Sequence, residues 1–290
     1  MFLLGMQQTI AKPARVVGFG YWSGADVCVE FRPAPVDAGV TFVRSDLGPN
    51  ARVAARADLR TEVPRRTSLR CGDVQVDMVE HILAALAGMQ VDNCEVWVDR
   101  PEMPGCDGSA QVFVDAIRRV GVVRQGATPR WLTIADRIKL EEGECWIEAR
   151  PSRSNSLSIE FQLDYPRDSA IGRQTAKWTV TPDVFCREIA PSRTFLLASE
   201  AKLLVAQGLG GRVTTRDLLV FSEQGPIDNR LRFHNECARH KLLDVLGDLA
   251  LTGCRVVGEL IAHRSGHRLN AKLARQLTQL YAPAAFKDTA

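Results

Sequence analysis

The chain has 290 residues, of which 37 are Lys or Arg and 34 are Asp or Glu, so its formal net charge is +3. A balance this close to neutral argues against a dedicated nucleic-acid-binding protein and against a polybasic membrane surface. Apolar residues make up 46% and charged residues 24% of the sequence, as in ordinary globular proteins. Disorder, collagen-like repeats and a coiled coil are therefore excluded for the chain as a whole.

The predicted elements of the first half follow the order of a Thr-Ile-Ala segment, a glycine turn, a strand, a helix, a second strand and a loop. They lie at residues 9–11, 24, 27–33, 79–88, 94–98 and 100–108. The first strand alternates apolar and polar residues and ends in Arg-Pro. The helix places four apolar side chains on one face, and the loop is rich in Pro and Gly.

The second half repeats this order. Its Thr-Ile-Ala segment, glycine turn, Arg-Pro strand, helix and final strand lie at residues 133–135, 143, 146–151, 238–251 and 256–261. Two copies of one order predict an internal duplication. Strands, a helix and a strand, given twice, predict an α+β fold of two similar layered domains with sheets packed on helices. The segment 121–130 has no clear period, so we place the domains at 1–126 and 127–290.

Eight cysteines are scattered along the chain with no Cys-x-x-Cys pair. This spacing favours reduced thiols over a disulfide framework or a zinc ribbon. The apolar stretch 1–6 is too short for a signal peptide, and the apolar segment 242–262 contains charged residues, which argues against a transmembrane span. We therefore expect a cytoplasmic protein that binds no nucleic acid and does not insert stably into a membrane.

Two of the five histidines lie where a metal could be bound. His240 and Asp244 are four residues apart on the second predicted helix and share a face, and zinc accepts both imidazole and carboxylate ligands. His81, in the first predicted helix, would supply the third protein ligand that catalytic zinc sites typically have. Glu80 beside it is suited to accept a proton from water. The alternatives are a structural His–Asp pair and an acid favoured by the helix dipole.

A further histidine, His267, follows the last predicted strand in a loop behind Gly266. A histidine in such a loop is a candidate general acid, and a solvated loop histidine is the alternative. His234 and His263 have no carboxylate nearby in the sequence, so we interpret both as surface or packing residues.

Four groups of residues, in chain order, resemble the motifs of the zinc-dependent UDP-3-O-acyl-N-acetylglucosamine deacetylases of lipid A synthesis. They are Val-Glu-His at 79–81 with Asp-Gly-Ser-Ala at 107–110, Ser-Arg-Thr-Phe at 192–195, Arg-His-Lys-Leu-Leu-Asp at 239–244, and Ser-Gly-His at 265–267. The resemblance runs from about residue 8 to about residue 280. It implies two similar α+β domains with the active site between them.

The resemblance also implies a metal centre and its catalytic groups. His81, His240 and Asp244 would hold Zn²⁺, with Fe²⁺ as the alternative metal. Glu80 would be the general base and His267 would protonate the leaving amine. These roles meet the needs of amide hydrolysis, which requires an activated water and a protonated leaving nitrogen.

Further roles follow from the same resemblance. Asp248 would orient the His267 ring, while Lys241 and the Thr194 hydroxyl would stabilise the developing oxyanion. The family binds the acyl chain in an apolar passage built from an insert in its second domain, which would correspond to residues 158–195. Phe161, Ile171 and Phe195 are the candidate lining residues, with structural core as the alternative. Arg264 would lie near the nucleotide diphosphate, or be a solvated arginine.

One departure keeps the function open. The family's glycine-rich turn near the N-terminus carries a histidine, whereas this chain reads Gly-Phe-Gly-Tyr-Trp-Ser-Gly at 18–24, with Trp22 at that position. We expect a monomer that deacetylates a small-molecule UDP-sugar lipid, UDP-3-O-acyl-N-acetylglucosamine, and so commits it to lipid A synthesis. A zinc amidase acting on another acylated amino sugar and a non-catalytic sugar-nucleotide-binding relative are the alternatives.

Overall fold

A computed structural model describes residues 5–281 of the chain. Most of the N-terminal stretch 1–6, on which the expectation about a signal peptide rests, lies outside these residues. Within the described part, no helix is both long enough and apolar enough to cross a bilayer.

The first half contains ten strands, two α-helices and a short 3₁₀ helix (Ala57–Leu59) within the described residues. The strands are β1 (Gln8–Ile10), β2 (Ala14–Phe19), β3 (Asp26–Pro33), β4 (Val40–Arg44), β5 (Arg52–Ala54), β6 (Arg60–Thr61), β7 (Ser68–Cys71), β8 (Val74–Asp77), β9 (Cys94–Val98) and β10 (Val122–Arg124). The helices are α1 (Glu80–Gly88) and α2 (Gln111–Val120). The main sheet has the order β2-β3-β9-β4-β5, in which only β4 and β9 are parallel.

The second half builds a sheet of the same kind. Its strands are β11 (Trp131–Thr133), β12 (Ile138–Glu142), β13 (Cys145–Arg150), β14 (Leu157–Asp164), β15 (Arg173–Thr179), β16 (Phe195–Leu197), β17 (Leu219–Phe221) and β18 (Arg255–His263). Its helices are α3 (Pro182–Val184), which continues as a π-helical turn, α4 (Ala198–Ala206), α5 (Glu236–Leu249) and α6 (His267–Tyr281). The sheet order is β12-β13-β18-β14-β15, in which only β14 and β18 are parallel, and β11 also runs parallel to β18.

The two sheets have the same strand order and the same strand directions, so the predicted α+β fold with an internal duplication is confirmed. The Thr-Ile-Ala segments also take equivalent places: Thr9 bridges to Asn93 just before β9, and Thr133 pairs with Val257 near the start of β18. The division at residue 126 stays a prediction.

The Arg-Pro strands of the two halves carry the same ion-pair arrangement. Glu30 on β3 is held between Arg15 and Arg32, and Glu148 on β13 is held between Arg137 and Arg150. Charge-assisted hydrogen bonds of this kind fix the guanidinium groups across neighbouring strands. The repeated clamp therefore extends the duplication from the backbone to side-chain chemistry.

Each half also has an additional unit between its fifth sheet strand and its central helix. In the first half this unit is the antiparallel sheet β6-β7-β8, and in the second it is the parallel pair β16-β17 with α4 between them. The stretch 158–195, in which the resemblance predicted an insert, contains β14 and β15, the counterparts of β4 and β5, and then α3 with its π-helical turn. The additional unit of the second half, which differs in structure from that of the first, spans residues 195–221. The position of the insert stays a prediction.

The central helices α1 and α5 pack directly against each other across the two halves. Ile82, Leu83 and Leu86 of α1 join Leu242 and Leu246 of α5 in one continuous hydrophobic core. Apart from Lys241, every residue of α5 is buried. The helix is therefore an internal element of the molecule, and most of its side chains pack against other protein groups.

A glycine allows the closest approach of these helices. A Cβ atom added at Gly247 on α5 would lie 2.1 Å from the backbone oxygen of Glu80, the first residue of α1. No side chain larger than hydrogen fits at this distance without moving one of the two helices. Gly247 therefore sets how near the Glu80 side chain comes to α5.

We expect Gly247→Ala to destabilise the protein by about 1–3 kcal/mol, because the added methyl group overpacks the contact between the helices. Urea denaturation followed by circular dichroism measures the change. Gly126→Ala is the matched control, since a Cβ there meets no atom within 4 Å. A Gly247→Ala protein as stable as the wild type would contradict the close approach.

Candidate active site

Helices α1 and α5 bring three potential metal ligands together, all of them buried. One ligand atom from each of His81, His240 and Asp244 lies within 4.8 Å of the others. The Asp244 Oδ1 atom is 3.7 Å from His81 Nε2 and 3.5 Å from His240 Nε2. The two imidazole rings meet edge to face with their centroids 5.1 Å apart. The three residues predicted as ligands therefore converge on one point between the halves.

The hydrogen bonding of Asp244 suits a metal ligand. Its Oδ2 atom accepts a hydrogen bond from Lys241 Nζ at 2.6 Å, whereas Oδ1 is buried and has no hydrogen-bond partner. A buried carboxylate oxygen without a donor is costly unless another positive group occupies the space in front of it. Burial works against its charge, but the Lys241 ammonium group beside it helps hold the pKa of Asp244 well below its usual value. It therefore stays ionised.

A backbone carbonyl orients His240. The ring nitrogen Nδ1 lies 3.1 Å from the Ser192 carbonyl oxygen, to which it can only donate, so Nε2 keeps its lone pair toward Asp244. The segment carrying Ser192 is fixed by the buried pair of Arg193 with Glu236, which are 2.8 Å apart. Burial lowers the pKa of His240 to about 3, so its ring is neutral, as a metal ligand must be.

Two proton-transfer candidates face this cluster. Glu80 Oε2 accepts a hydrogen bond from the backbone N–H of Thr67 at 3.0 Å, and Oε1 lies 4.0 Å from His267 Nε2. The other nitrogen of His267, Nδ1, is 2.9 Å from Asp248 Oδ2. The predicted base, acid and orienting carboxylate are thus in one place.

The electrostatic environment raises the pKa of both proton-transfer groups. Burial raises the pKa of Glu80, and the positive charge of His267 offsets only part of this effect. Burial also works against a charged His267, but the Asp248 carboxylate outweighs it and raises the pKa of His267 to about 9. At neutral pH His267 is therefore protonated, as a general acid must be, and the raised pKa of Glu80 makes its carboxylate form a stronger base.

His267 lies in a different element from the one predicted. It opens the long helix α6 rather than lying in a loop. A helix N-terminus disfavours a cation, so the positive charge of His267 depends on Asp248. Asn270, one turn later, also donates to Asp248 Oδ2 at 2.9 Å.

The remaining predicted polar residues surround the same point. Thr194 Oγ1 donates to the Gly108 carbonyl at 3.0 Å and lies 3.2 Å from His240 Nε2. Burial opposes the charge of Lys241, but Asp244 raises its pKa overall, so the ammonium group is kept. Lys241 therefore presents N–H donors beside the cluster, whereas the Thr194 hydroxyl lies next to it with its proton donated to Gly108.

The site opens into a cleft of about 1560 Å³ that is lined by both halves. Phe161, Phe195 and Arg264 line this cleft, whereas Ile171 is a buried residue outside its lining. Phe195 also meets the His240 ring edge to face, and Arg264 is paired with Glu144. The apolar wall comes mainly from the 195–221 unit, through Leu196, Leu197, Leu204, Leu209, Leu218 and Val220.

Trp22, which stands where the family has a histidine, is part of the cleft wall. Glu102 holds the turn, because its two carboxylate oxygens accept the backbone N–H groups of Trp22 and Ser23 at 2.8 Å. The Arg66 guanidinium lies 4.6 Å from the centre of the indole ring, within cation–π range. The cleft therefore has an aromatic surface at this turn.

Sequence reasoning assigned no role to two residues that hold the proton-transfer groups. Thr67 contacts Glu80 through its backbone and Asp248 through its hydroxyl, and Asn270 contacts Asp248 through its amide. Helical spacing from His267 could have indicated Asn270. Thr67 lies 181 residues from Asp248 in the chain, and no local pattern marks it.

Comparison with known proteins gives matches over almost the whole chain. Residues 7–279 match the sequence model of the family described as UDP-3-O-acyl N-acetylglycosamine deacetylase. The chain is 35% identical over 274 residues to the UDP-3-O-acyl-N-acetylglucosamine deacetylase of Shewanella violacea, with 93% of this chain and 89% of that protein covered. It is 38% identical over 272 residues to the protein of the same name from Anaeromyxobacter sp., with coverages of 93% and 88%. The Brucella ovis protein is 34% identical over 273 residues, with coverages of 93% and 94%.

We expect His240→Ala to abolish metal binding but to leave the protein folded, because a site of this kind binds its metal on a fold that is already stable. Metal analysis of the purified wild type should find about one divalent ion per chain, as in catalytic sites with three protein ligands. His263→Ala is the control, since His263 stacks on Trp146 away from the cluster. Global unfolding of His240→Ala, seen by circular dichroism, would contradict this expectation.

Proposed function

This chain belongs to the UDP-3-O-acyl N-acetylglycosamine deacetylase family, and on that premise we propose that it hydrolyses the N-acetyl group of UDP-3-O-acyl-N-acetylglucosamine. The products would be acetate and the free amine, and the reaction would commit the sugar to lipid A synthesis. The observation that carries the proposal is the unpartnered Asp244 Oδ1 between two imidazole nitrogens, with Glu80 and His267 beside it.

We propose Zn²⁺ as the cofactor, with Fe²⁺ as the second candidate. His81, His240 and Asp244 would hold it, since two neutral nitrogens and one carboxylate oxygen suit zinc. The ion would supply Lewis-acid activation of water and of the amide carbonyl. The fit rests on the buried negative charge of Asp244 and on the orientation of His240 by the Ser192 carbonyl.

In the proposed reaction, Glu80 accepts a proton from the attacking water as its oxygen bonds to the amide carbon. The Oε1 atom is available for this step, because Oε2 is already held by Thr67. The Nδ1 proton of His267 stays in its hydrogen bond to Asp248. The Nε2 proton is donated to the amide nitrogen of the substrate as the carbon–nitrogen bond breaks. One proton is thus taken up and one released, which balances the hydrolysis.

Lys241 and Thr194 would stabilise the negative charge that develops on the carbonyl oxygen. Lys241 uses one of its three N–H groups on Asp244, which leaves two for an oxyanion. The Thr194 hydroxyl would have to turn from the Gly108 carbonyl toward the substrate. Donors placed in advance near a developing charge are the largest electrostatic contribution to many acyl transfers.

The cleft supports a substrate with one apolar chain and one charged end. We propose that the wall formed by the 195–221 unit, which begins with Phe195, binds the acyl chain together with Phe161. Arg264 would release its present partner, the exposed Glu144, and pair with the diphosphate instead. Ile171, which lies outside the lining, would support the wall from behind.

We further propose that the protein acts as a monomer in the cytoplasm. Both halves of one chain supply the whole set of candidate catalytic and metal-binding residues, so the site needs no second copy. All eight cysteines are free thiols, which suits a reducing compartment.

A second candidate function is hydrolysis of a different acylated amino sugar. It is favoured by Trp22, which gives one side of the cleft an aromatic surface. Comparing UDP-N-acetylglucosamine with and without the 3-O-acyl chain as substrates separates the two functions. A strong preference for a sugar other than the 3-O-acyl nucleotide would favour the second.

We expect Glu80→Gln and His267→Gln each to lower kcat by about 10²- to 10⁴-fold, because each removes one proton transfer. Mass-spectrometric detection of the deacetylated UDP-sugar measures the rate. His234→Gln is the control, since His234 is exposed and does not line the cleft. Full activity of either site variant would rule out the assigned mechanism.

We also expect a bell-shaped dependence of the rate on pH. Glu80 acts when ionised, so the rate should rise as pH increases through its pKa, which burial places above the usual value for Glu. His267 acts when protonated, so the rate should fall as pH increases through about 9. The residual activity of His267→Gln should lack the alkaline limb. An unchanged alkaline limb in that variant would assign it to another group.

A further inference from the structure

We propose that Thr67 is a positioning residue of the reaction, which holds the proton acceptor and the proton donor in one arrangement across the two halves. The inference rests on the roles proposed for Glu80 and His267. It concerns a residue that contacts none of the three candidate metal ligands through a hydrogen bond in the described structure.

The backbone of Thr67 fixes the proton acceptor. Thr67 is fully buried just before β7, and its N–H donates to Glu80 Oε2 at 3.0 Å. Its carbonyl oxygen accepts the N–H of Val79, the residue before α1, at 3.2 Å. The first turn of α1 and the Glu80 carboxylate are therefore held by one residue, and Glu80 Oε1 is left facing His267.

The side chain of Thr67 fixes the orienting carboxylate of the other half. Its hydroxyl donates to Asp248 Oδ1, and it is the one hydrogen-bond donor to that atom within residues 5–281. Asp248 is fully buried, and its Oδ2 atom already accepts hydrogen bonds from His267 and Asn270. Without the hydroxyl, Oδ1 would be an unpaired buried oxygen, so the carboxylate would turn toward its remaining donors. The His267 ring would then lose its fixed direction.

The distance between the Glu80 carboxylate and the His267 ring depends on both the backbone and the hydroxyl of Thr67. Glu80 Oε1 and His267 Nε2 are 4.0 Å apart, although one belongs to the first half and the other to the second. A small displacement of either group removes the geometry that proton transfer needs. Thr67 is the residue that hydrogen-bonds to the carboxylates on both sides of this gap.

Thr67→Val tests the hydroxyl, because it replaces that group by a methyl group and leaves the backbone bonds to Glu80 and Val79 in place. We expect kcat to fall by about 10- to 100-fold, as for other groups that orient catalytic residues from behind, with a much smaller change in KM. Metal content should equal that of the wild type. Thr67→Ser keeps the hydroxyl and should restore most of kcat.

Ser68→Ala is the matched control. Ser68 is the next residue, is equally buried, and has a hydroxyl without a hydrogen-bond partner. Its removal should leave kcat at the wild-type value. The comparison separates loss of the Thr67–Asp248 bond from loss of a buried hydroxyl in general.

Nuclear magnetic resonance of histidine-labelled protein gives a readout that needs no substrate. The Nδ1–H signal of His267 reports its hydrogen bond to Asp248 and can be assigned from its absence in His267→Gln. Thr67→Val should shift or broaden this signal, whereas Ser68→Ala should leave it unchanged.

Three outcomes would overturn the proposal. These are an unchanged kcat in Thr67→Val, an equal loss in Thr67→Ser, or an unchanged His267 signal in Thr67→Val. If Thr67→Val does not fold, Thr67→Ala carries the same comparison with Ser68→Ala. A wild type inactive on the 3-O-acyl UDP-sugar would instead refute the proposed function, and the His267 signal would then decide the role of Thr67.

Discussion

Helices α1 and α5 approach so closely at Gly247 that one additional carbon atom would overlap the Glu80 carbonyl oxygen. This contact joins the two halves at their centre and brings His81 to His240 and Asp244. It needs a glycine at one position and apolar side chains along the rest of both helices. Because the candidate site is made from both helices, its geometry depends on this packing more than on any single polar bond.

The site concentrates charge inside a protein that is nearly neutral as a whole. Three buried carboxyl groups, those of Glu80, Asp244 and Asp248, lie close to the Lys241 ammonium group and the protonated His267 imidazole. Asp244 is held ionised, and its Oδ1 atom has no donor. A cation completes such an arrangement, whereas burial of the carboxylates without one is costly. The protein is nearly neutral as a whole, but the buried charges of the site create a strong local electrostatic field.

Local patterns in the sequence were sufficient for the central elements. The apolar faces of residues 79–88 and 238–251 correspond to α1 and to α5, which begins and ends two residues earlier than predicted. The repeated Arg-Pro strands correspond to β3 and β13, where each carries a glutamate between two arginines. These features could be predicted because helical and strand periodicity are properties of neighbouring residues. His267 was misplaced in a loop, since Gly266 before it resembles a turn.

The sequence by itself determined the α+β class, the duplication and the identity of the residues that could bind a metal, because these follow from periodicity, repetition and side-chain chemistry. Only the tertiary structure decided that the 195–221 unit forms the apolar wall, that Ile171 lies outside the cleft, and that Thr67 joins Glu80 to Asp248. Such contacts join residues that lie far apart in the chain. They are fixed by how the two halves pack, which no local pattern encodes.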